Sequence, residues 1–294
     1  MIRKYIAALR PADSLNLAFL FFLGALVSVF HRRIAASGPL FGLYALLMVL
    51  QVLLVRFRNE NGLLRWVYDL IFPTLSIVLI FDSLGRIVHS INPHDIDPLL
   101  IRLDYAIFGF YPTVRLERWI NPVLTDILQA AYSSYYFLPI TLGVMLKVRK
   151  KDGELGHSLF LIMLCFYLSY VGYILMPALG PRFALAHLQH VDLKGFLLAG
   201  PIQELLNRLE GIKRDAFPSG HTAVALTVLY LTYLHERGLF RIFLPCVAAL
   251  IFSTVYCRYH YVVDVLGGMA LAVITIWAGE AYYGYRTKRV DTDR

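Results

Sequence analysis

Charge is what this sequence has least of. Asp, Glu, Lys and Arg make up 16% of its 294 residues, against 58% for the hydrophobic types. A soluble domain carries about 25% charged and about 45–50% apolar residues, so the composition argues against one and for a membrane protein. Cysteine is scarce as well: Cys165, Cys246 and Cys257 are the whole complement. The first two lie inside apolar runs, and together they offer neither a disulfide framework nor metal-ligand spacing. There is no internal repeat, no low-complexity segment and no basic stripe interleaved with aromatics. The net charge of +8 therefore does not point to nucleic acid.

What the chain does have is long apolar stretches. A bilayer core takes about 20 apolar residues per helix. Runs near 14–31, 39–55, 65–85, 123–146, 157–178, 219–235, 240–257 and 262–284 predict an all-α polytopic membrane bundle of about eight helices. The first run is long for the core of a signal peptide, and "HRR" follows it without a small-x-small cleavage site, so an uncleaved first span is expected.

Orientation follows from Lys and Arg. With the N-terminus inside, the inner segments hold Arg3, Lys4 and Arg10; Arg56, Arg58 and Arg65; Lys147, Arg149, Lys150 and Lys151; Arg237 and Arg241; and Arg286, Lys288, Arg289 and Arg294. That is more than half of the 28 Lys and Arg, and the short "KVRKKDG" loop is the densest group. Both termini are expected inside. The longer interruptions, 86–122 and 179–218, then fall outside together with the short break "YCRYHY" at 256–261. The first of these has an amphipathic centre and reads as a helix lying at the interface.

Three of these outer breaks carry chemistry. In "CRYHYVVDVLGG", His260 and Asp264 are four apart, so on a helix they share a face. A carboxylate on one imidazole nitrogen makes the other a better nucleophile or base; the plainer reading is a polar pair satisfying itself at a span mouth. In "FPSGHTAV", Ser219 stands at a helix cap, Gly220 admits close backbone approach, and His221 sits in the first turn. A helix N-terminus there favours an anion, although an ordinary turn with an incidental His has the same letters. In "MPALGPRFAL", Arg182 follows a Gly-Pro turn; its planar fork suits phosphate, while lone arginines at span ends also snorkel to head groups. Brought to one face, an arginine clamp, a helix-terminus anion site, a proton donor and an oriented nucleophile make up a phosphoryl-transfer site.

These residues resemble the type-2 phosphatidic acid phosphatase superfamily, integral membrane enzymes acting on lipid phosphates. "PSGH" matches its central motif and "HYVVD" the end of its last. The resemblance implies that His260 attacks phosphorus to form a phosphohistidine, that Asp264 orients it, and that His221 protonates the departing oxygen. It implies that Arg182, Ser219 and the Gly220 amide hold the phosphoryl oxygens, and that neither a metal nor another cofactor is needed. It divides the chain into two additional spans at 1–64 and a six-span catalytic unit at 65–294.

Two departures stand out. Leu175 occupies the position seven before Arg182 where the family has Lys, and Ser253-Thr254 stand where it has Ser-Arg. Arg258, Lys213 and Arg214 are the candidates for the missing phosphate-binding charge. With "GPRF", "YHYVVD" and "IDPLLIRLDYAIFGFYP", the pattern is closer to the branch containing inositol phosphorylceramide synthase. The stretch Asp97–Asp104–Gly109–Pro112 would then build an acceptor site or pack as the interfacial helix, of which the second is expected.

The expectation is a lipid-phosphate phosphatase acting on a phosphatidic acid or a polyprenyl diphosphate. The partners expected are that substrate and membrane lipids, without nucleic acid. The location expected is a bacterial inner membrane, with the site on the extracytoplasmic face. The alternatives are phosphotransfer of a phospho-alcohol head group to a lipid or sugar alcohol, and a lipid-binding transporter. The transporter would have no use for an oriented His260–Asp264 pair.

Overall fold

A computed structural model describes residues 9–35, 37–209 and 212–292. Arg3, Lys4 and Arg294 of the orientation argument lie outside the described residues, as do the side chains of Lys288 and Arg289. The principal helices are α1 Pro11–Val29, α2 Ser37–Phe57, α3 Gly62–Ile91, α4 Asp97–Phe108, α5 Pro122–Ser133, α6 Phe137–Val148, α7 Asp152–Leu175, α8 Ala199–Leu209, α9 Gly220–His235, α10 Arg237–Tyr256 and α11 Val262–Thr292. Among the described residues no strand forms.

Among the described residues six helices, α1, α2, α3, α7, α10 and α11, are long and apolar enough to cross a membrane. The two remaining apolar runs take other forms. The run at 123–146 is α5 and α6, joined through a 3-10 turn at Ser134–Tyr136. The run at 219–235 is α9, whose 16 residues extend only ~24 Å at ~1.5 Å per residue. α3 carries a π-helical turn at Val67–Ile71, just before Pro73. Proline lacks the N–H that an α-helical ladder needs, and π turns recur where such ladders are interrupted.

α7 is the hub, with 72% of its apolar window buried and α1, α3, α6, α9 and α11 packed around it. Gly172 on α7 matters to the site, because a Cβ there would lie 2.4 Å from Cδ of Pro218. Only glycine lets the Pro-Ser-Gly-His turn sit down on this helix. The first two helices are tied in by buried polar groups. Asn16 on α1 donates to Gln51 on α2 at 2.8 Å, and its side-chain oxygen accepts from Ser76 on α3 at 3.0 Å and from the Tyr167 hydroxyl on α7.

One end of the bundle is laced by ion pairs. Asp69 binds Arg10 at 2.7 Å and also Lys147; Arg65 binds Asp152 at 2.6 Å; Arg149 binds Glu236 at 2.6 Å. The breaks at 92–121, 176–219 and 257–261 all lie at the opposite end. There, the stretch that the sequence reads as an interfacial helix forms α4, closed by Gly109 at φ 72°.

Candidate active site

Two carboxylates on α4 assemble the site. Asp97 accepts the N–H of Leu179 and of Gly180, each at 2.8 Å, and the hydroxyl of Tyr261 at 2.9 Å. It thereby holds the turn ahead of Arg182 against the turn that carries His260. Gly180 adopts φ +87°, and a Cβ there would come within 2.6 Å of the Tyr259 carbonyl oxygen, so the turn needs glycine twice over. Asp104, two turns along the same face, accepts the N–H of Val262 and Val263 at 3.1 and 2.9 Å. These are orphan donors of the first turn of α11, which a carboxylate satisfies well. The Asp97–Asp104 stretch is thus a brace, and neither carboxyl lines the polar cavity described below.

His260 sits in the break between α10 and α11. Its Nδ1 is 2.8 Å from the Ala216 carbonyl oxygen and 3.5 Å from Oδ2 of Asp264. A carbonyl only accepts, so Nδ1 carries a hydrogen, and in the neutral ring Nε2 keeps its lone pair. The shorter contact therefore goes to Ala216, and Asp264 adds a charge just beyond it. Asp264 also accepts the Tyr261 N–H at 2.8 Å, and its backbone oxygen takes the Ser219 N–H at 3.0 Å. That last bond ties the last motif to the central one.

Ser219 caps α9 as expected, its hydroxyl accepting the Thr222 N–H at 3.3 Å. Ser219 and Gly220 are both buried. A Cβ at Gly220 would lie 2.2 Å from the Tyr173 hydroxyl oxygen, so this glycine makes room for a tyrosine of α7. His221 is 8% exposed; its ring centroid is 4.3 Å from that of Tyr132, 4.1 Å from Tyr135 and 5.7 Å from His260. Its Nε2 is buried and makes no hydrogen bond within the protein.

A polar cavity of about 300 Å³ is lined by Arg182, Lys213, Asp215, Tyr259 and His260, among others. Of the three candidates for the missing charge, Lys213 lines this cavity. The other two are held elsewhere. Arg214 pairs with Asp95 at 2.7 Å. Arg258, at φ 63°, is 7% exposed and donates to Glu117 at 2.8 Å and to the Val191 carbonyl at 2.5 Å. Desolvation lowers its pKa from the ordinary arginine value, with Glu117 opposing the shift. Ser219 and Gly220 do not line the cavity; they shape the turn beneath it.

Sequence reasoning passed over Asp215. This half-buried carboxyl lines the polar cavity, and burial pushes its pKa up to about 6, with His260 pulling it back. It also passed over the Tyr132–Tyr259 stack, centroids 4.2 Å apart, whose first ring backs His221. Nothing but aromatic character marks these positions, and a core uses the same residues.

Comparison with known proteins bears directly on this arrangement. The profile of the PAP2 superfamily matches residues 99–278. The chain belongs to the PAP2 superfamily. The matched stretch begins within α4 and contains His221, His260, Asp264, Arg182 and Lys213. A PA-phosphatase related-family protein of Dictyostelium discoideum is 24% identical over 190 residues, which cover 56% of this chain and 34% of the relative. The chain thus spans about a third of the length of that curated relative. No solved structure matches it. PAP2 membership supports a phosphatase-type enzyme, and six membrane-length apolar helices among the described residues support an integral membrane protein.

Proposed function

We propose that this PAP2 protein hydrolyses a lipid phosphate monoester or diphosphate, of the phosphatidic acid or polyprenyl diphosphate type, through a phosphohistidine on His260. The observation that carries this reading is the 2.8 Å contact of His260 Nδ1 with the Ala216 carbonyl, which leaves Nε2 unprotonated beside a cavity shared with Arg182 and Lys213. In the first step Nε2 attacks the terminal phosphorus, a P–N bond forms and the P–O bond to the leaving group breaks, the leaving group being the lipid alcohol of a monoester or the lipid monophosphate of a diphosphate. His221, protonated on Nε2, gives that proton to the departing oxygen. In the second step water attacks phosphorus and the P–N bond breaks. His221 takes the water's proton and inorganic phosphate leaves.

Arg182 and Lys213 neutralise the phosphoryl oxygens throughout. Ser219 and Gly220 act by capping α9 and seating His221. Asp264 is a positioning residue that balances the charge gained by His260 in the phosphohistidine. The division into an added hairpin at 1–64 and a catalytic unit at 65–294 is retained, as all these residues fall in the second. The excess of Lys and Arg at the ion-paired end supports a site on the extracytoplasmic face.

The test is product identity. Purified protein in detergent with EDTA would be given phosphatidic acid, a polyprenyl diphosphate, and a phospho-alcohol phospholipid with a lipid alcohol. Free phosphate that requires His260 is the expected result. A new phospholipid with little free phosphate would make the protein a phosphotransferase instead. Lipid binding without turnover would support the transporter.

A further inference from the structure

The Phe72–Ile91 part of α3 and helix α6 both pack on α7, and between them lies a second cavity of about 300 Å³. Its wall is nearly all carbon, with Ile77, Phe81, Ile162, Met163 and Phe166 prominent. At one end it reaches His221 and Asp215, and Asp215 also lines the polar cavity. The α7 residues in its wall run from Tyr173 to Leu155, ~27 Å of helix at ~1.5 Å per residue, against ~30 Å for a bilayer core. A groove of that length can lie along one extended apolar chain.

The far end is closed. There the π-helical turn of α3 meets α6: a Cβ on Gly143 would lie 2.8 Å from Cδ2 of Leu70 and 4.0 Å from Cδ1 of Leu155. The side is open, since Val78 on α3 and Ile140 on α6 both line the groove and are 54% and 44% exposed. In a membrane that exposure faces lipid, so a chain can slide in from the bilayer without passing through water.

We propose that the groove holds a single apolar chain of the substrate's leaving alcohol, and that Leu70, Gly143 and Leu155 are the stop that sets the longest chain accepted. This deepens the phosphatase reading and rests on it, because a chain whose oxygen is protonated by His221 must continue past His221. The groove is where that path leads. The preferred substrate is then a single-chain lipid phosphate, and a two-chain lipid leaves its second chain in the bilayer.

Straight-chain alkyl phosphates of increasing length test this with the full-length protein. Gly143→Leu fills the stop, so its ratio of long-chain to short-chain kcat/KM should fall about tenfold relative to the unaltered protein, the scale of a misfit methylene in an apolar pocket. Ile140→Trp, at the open side and tolerant of bulk, should depress every chain-bearing substrate relative to a chainless aryl phosphate. An unchanged length ratio in Gly143→Leu would overturn the stop.

A long alkyl phosphonate tipped with a diazirine gives a readout free of turnover. Label on Leu70, Gly143 or Leu155 supports the groove even if no phosphate is released, in which case the phosphatase reading alone fails. Label confined to the outward faces of α1, α2 and α10 would overturn the groove while leaving hydrolysis intact.

Discussion

The Asp97 carboxylate accepts the Tyr261 hydroxyl across 2.9 Å, joining residues 164 positions apart. Through this bond helix α4 reaches the residue next to the candidate nucleophile. Asp97 is 4% exposed and also takes two backbone N–H groups on the Arg182 side, so one carboxylate sets the spacing of two motifs. Asn at this position keeps one acceptor oxygen and turns an NH₂ toward N–H donors. Asp97→Asn should lose about 1–3 kcal/mol of stability and most turnover. Tyr261→Phe, which spares the backbone bonds, should lose only about 0.5–1.5 kcal/mol. Thermal unfolding in detergent beside steady-state rates distinguishes them, and equal effects would argue against the brace.

His260→Ala should abolish phosphate release. Asp264→Asn should be milder than in sites where the carboxylate alone sets the tautomer, because Ala216 holds Nδ1 at 2.8 Å and Asp264 stands at 3.5 Å. A loss of ~10² is expected, at the lower end of the ~10²–10⁴ range for such partners. Trapping the phosphoenzyme on His260 by rapid quench checks both, and a ~10⁴ loss would return the tautomer to Asp264.

His221→Ala should slow release of a poor leaving group, such as an alkyl alcohol, far more than that of a nitrophenol. General acid catalysis typically contributes ~10²–10⁴, and a good leaving group has no need of it. Comparing kcat for the two substrate types is enough. Equal loss for both would remove His221 from the acid role.

The placement of the three basic candidates makes a kinetic ranking. Lys213→Ala should lower kcat/KM about tenfold, the scale of one charge-assisted hydrogen bond to phosphate. Arg214→Ala should change it little, because that guanidinium is paired with Asp95 in a partly exposed bridge worth ~0–1 kcal/mol. If Arg214→Ala proved the more damaging, the assignment of Lys213 would fall.

Asp215 makes stability depend on pH in an unusual direction. Its folded pKa, pushed up to about 6, exceeds the ordinary value of 3.8, so the folded state holds the proton more tightly. Stability from this group is therefore greatest below 3.8, declines as pH rises toward about 6, and is level above. Asp215→Asn removes that decline. The Tm of the variant minus that of the unaltered protein should grow across this window and then plateau, and a flat difference would contradict the assignment.

Much of this was legible before the structure. "PSGH" and "HYVVD" mark the motifs, and of the eight apolar runs read as spans six are membrane-length helices among the described residues. The break between α5 and α6 was not, since a 3-10 turn at Ser134–Tyr136 leaves hydropathy untouched. Nor was the role of Asp97 and Asp104, whose partners are mostly backbone N–H groups, and a backbone amide has no letter in a sequence. The Ala216 carbonyl is hidden for the same reason. Arg258 read as a spare cation because its partner Glu117 lies 141 residues away.

The Asn16 junction has a consequence for how the protein is made. An amide inside the hydrocarbon layer must find its partners within protein, and those of Asn16 are on α2, α3 and α7. When Asn16 itself is added to the growing chain, none of them has been synthesised. In order of synthesis Gln51 comes first, Ser76 follows, and the Tyr167 hydroxyl completes the set 151 residues after Asn16. Until then the N-terminal hairpin is a half-satisfied guest in the bilayer, and α7 is the helix that gives it a permanent seat.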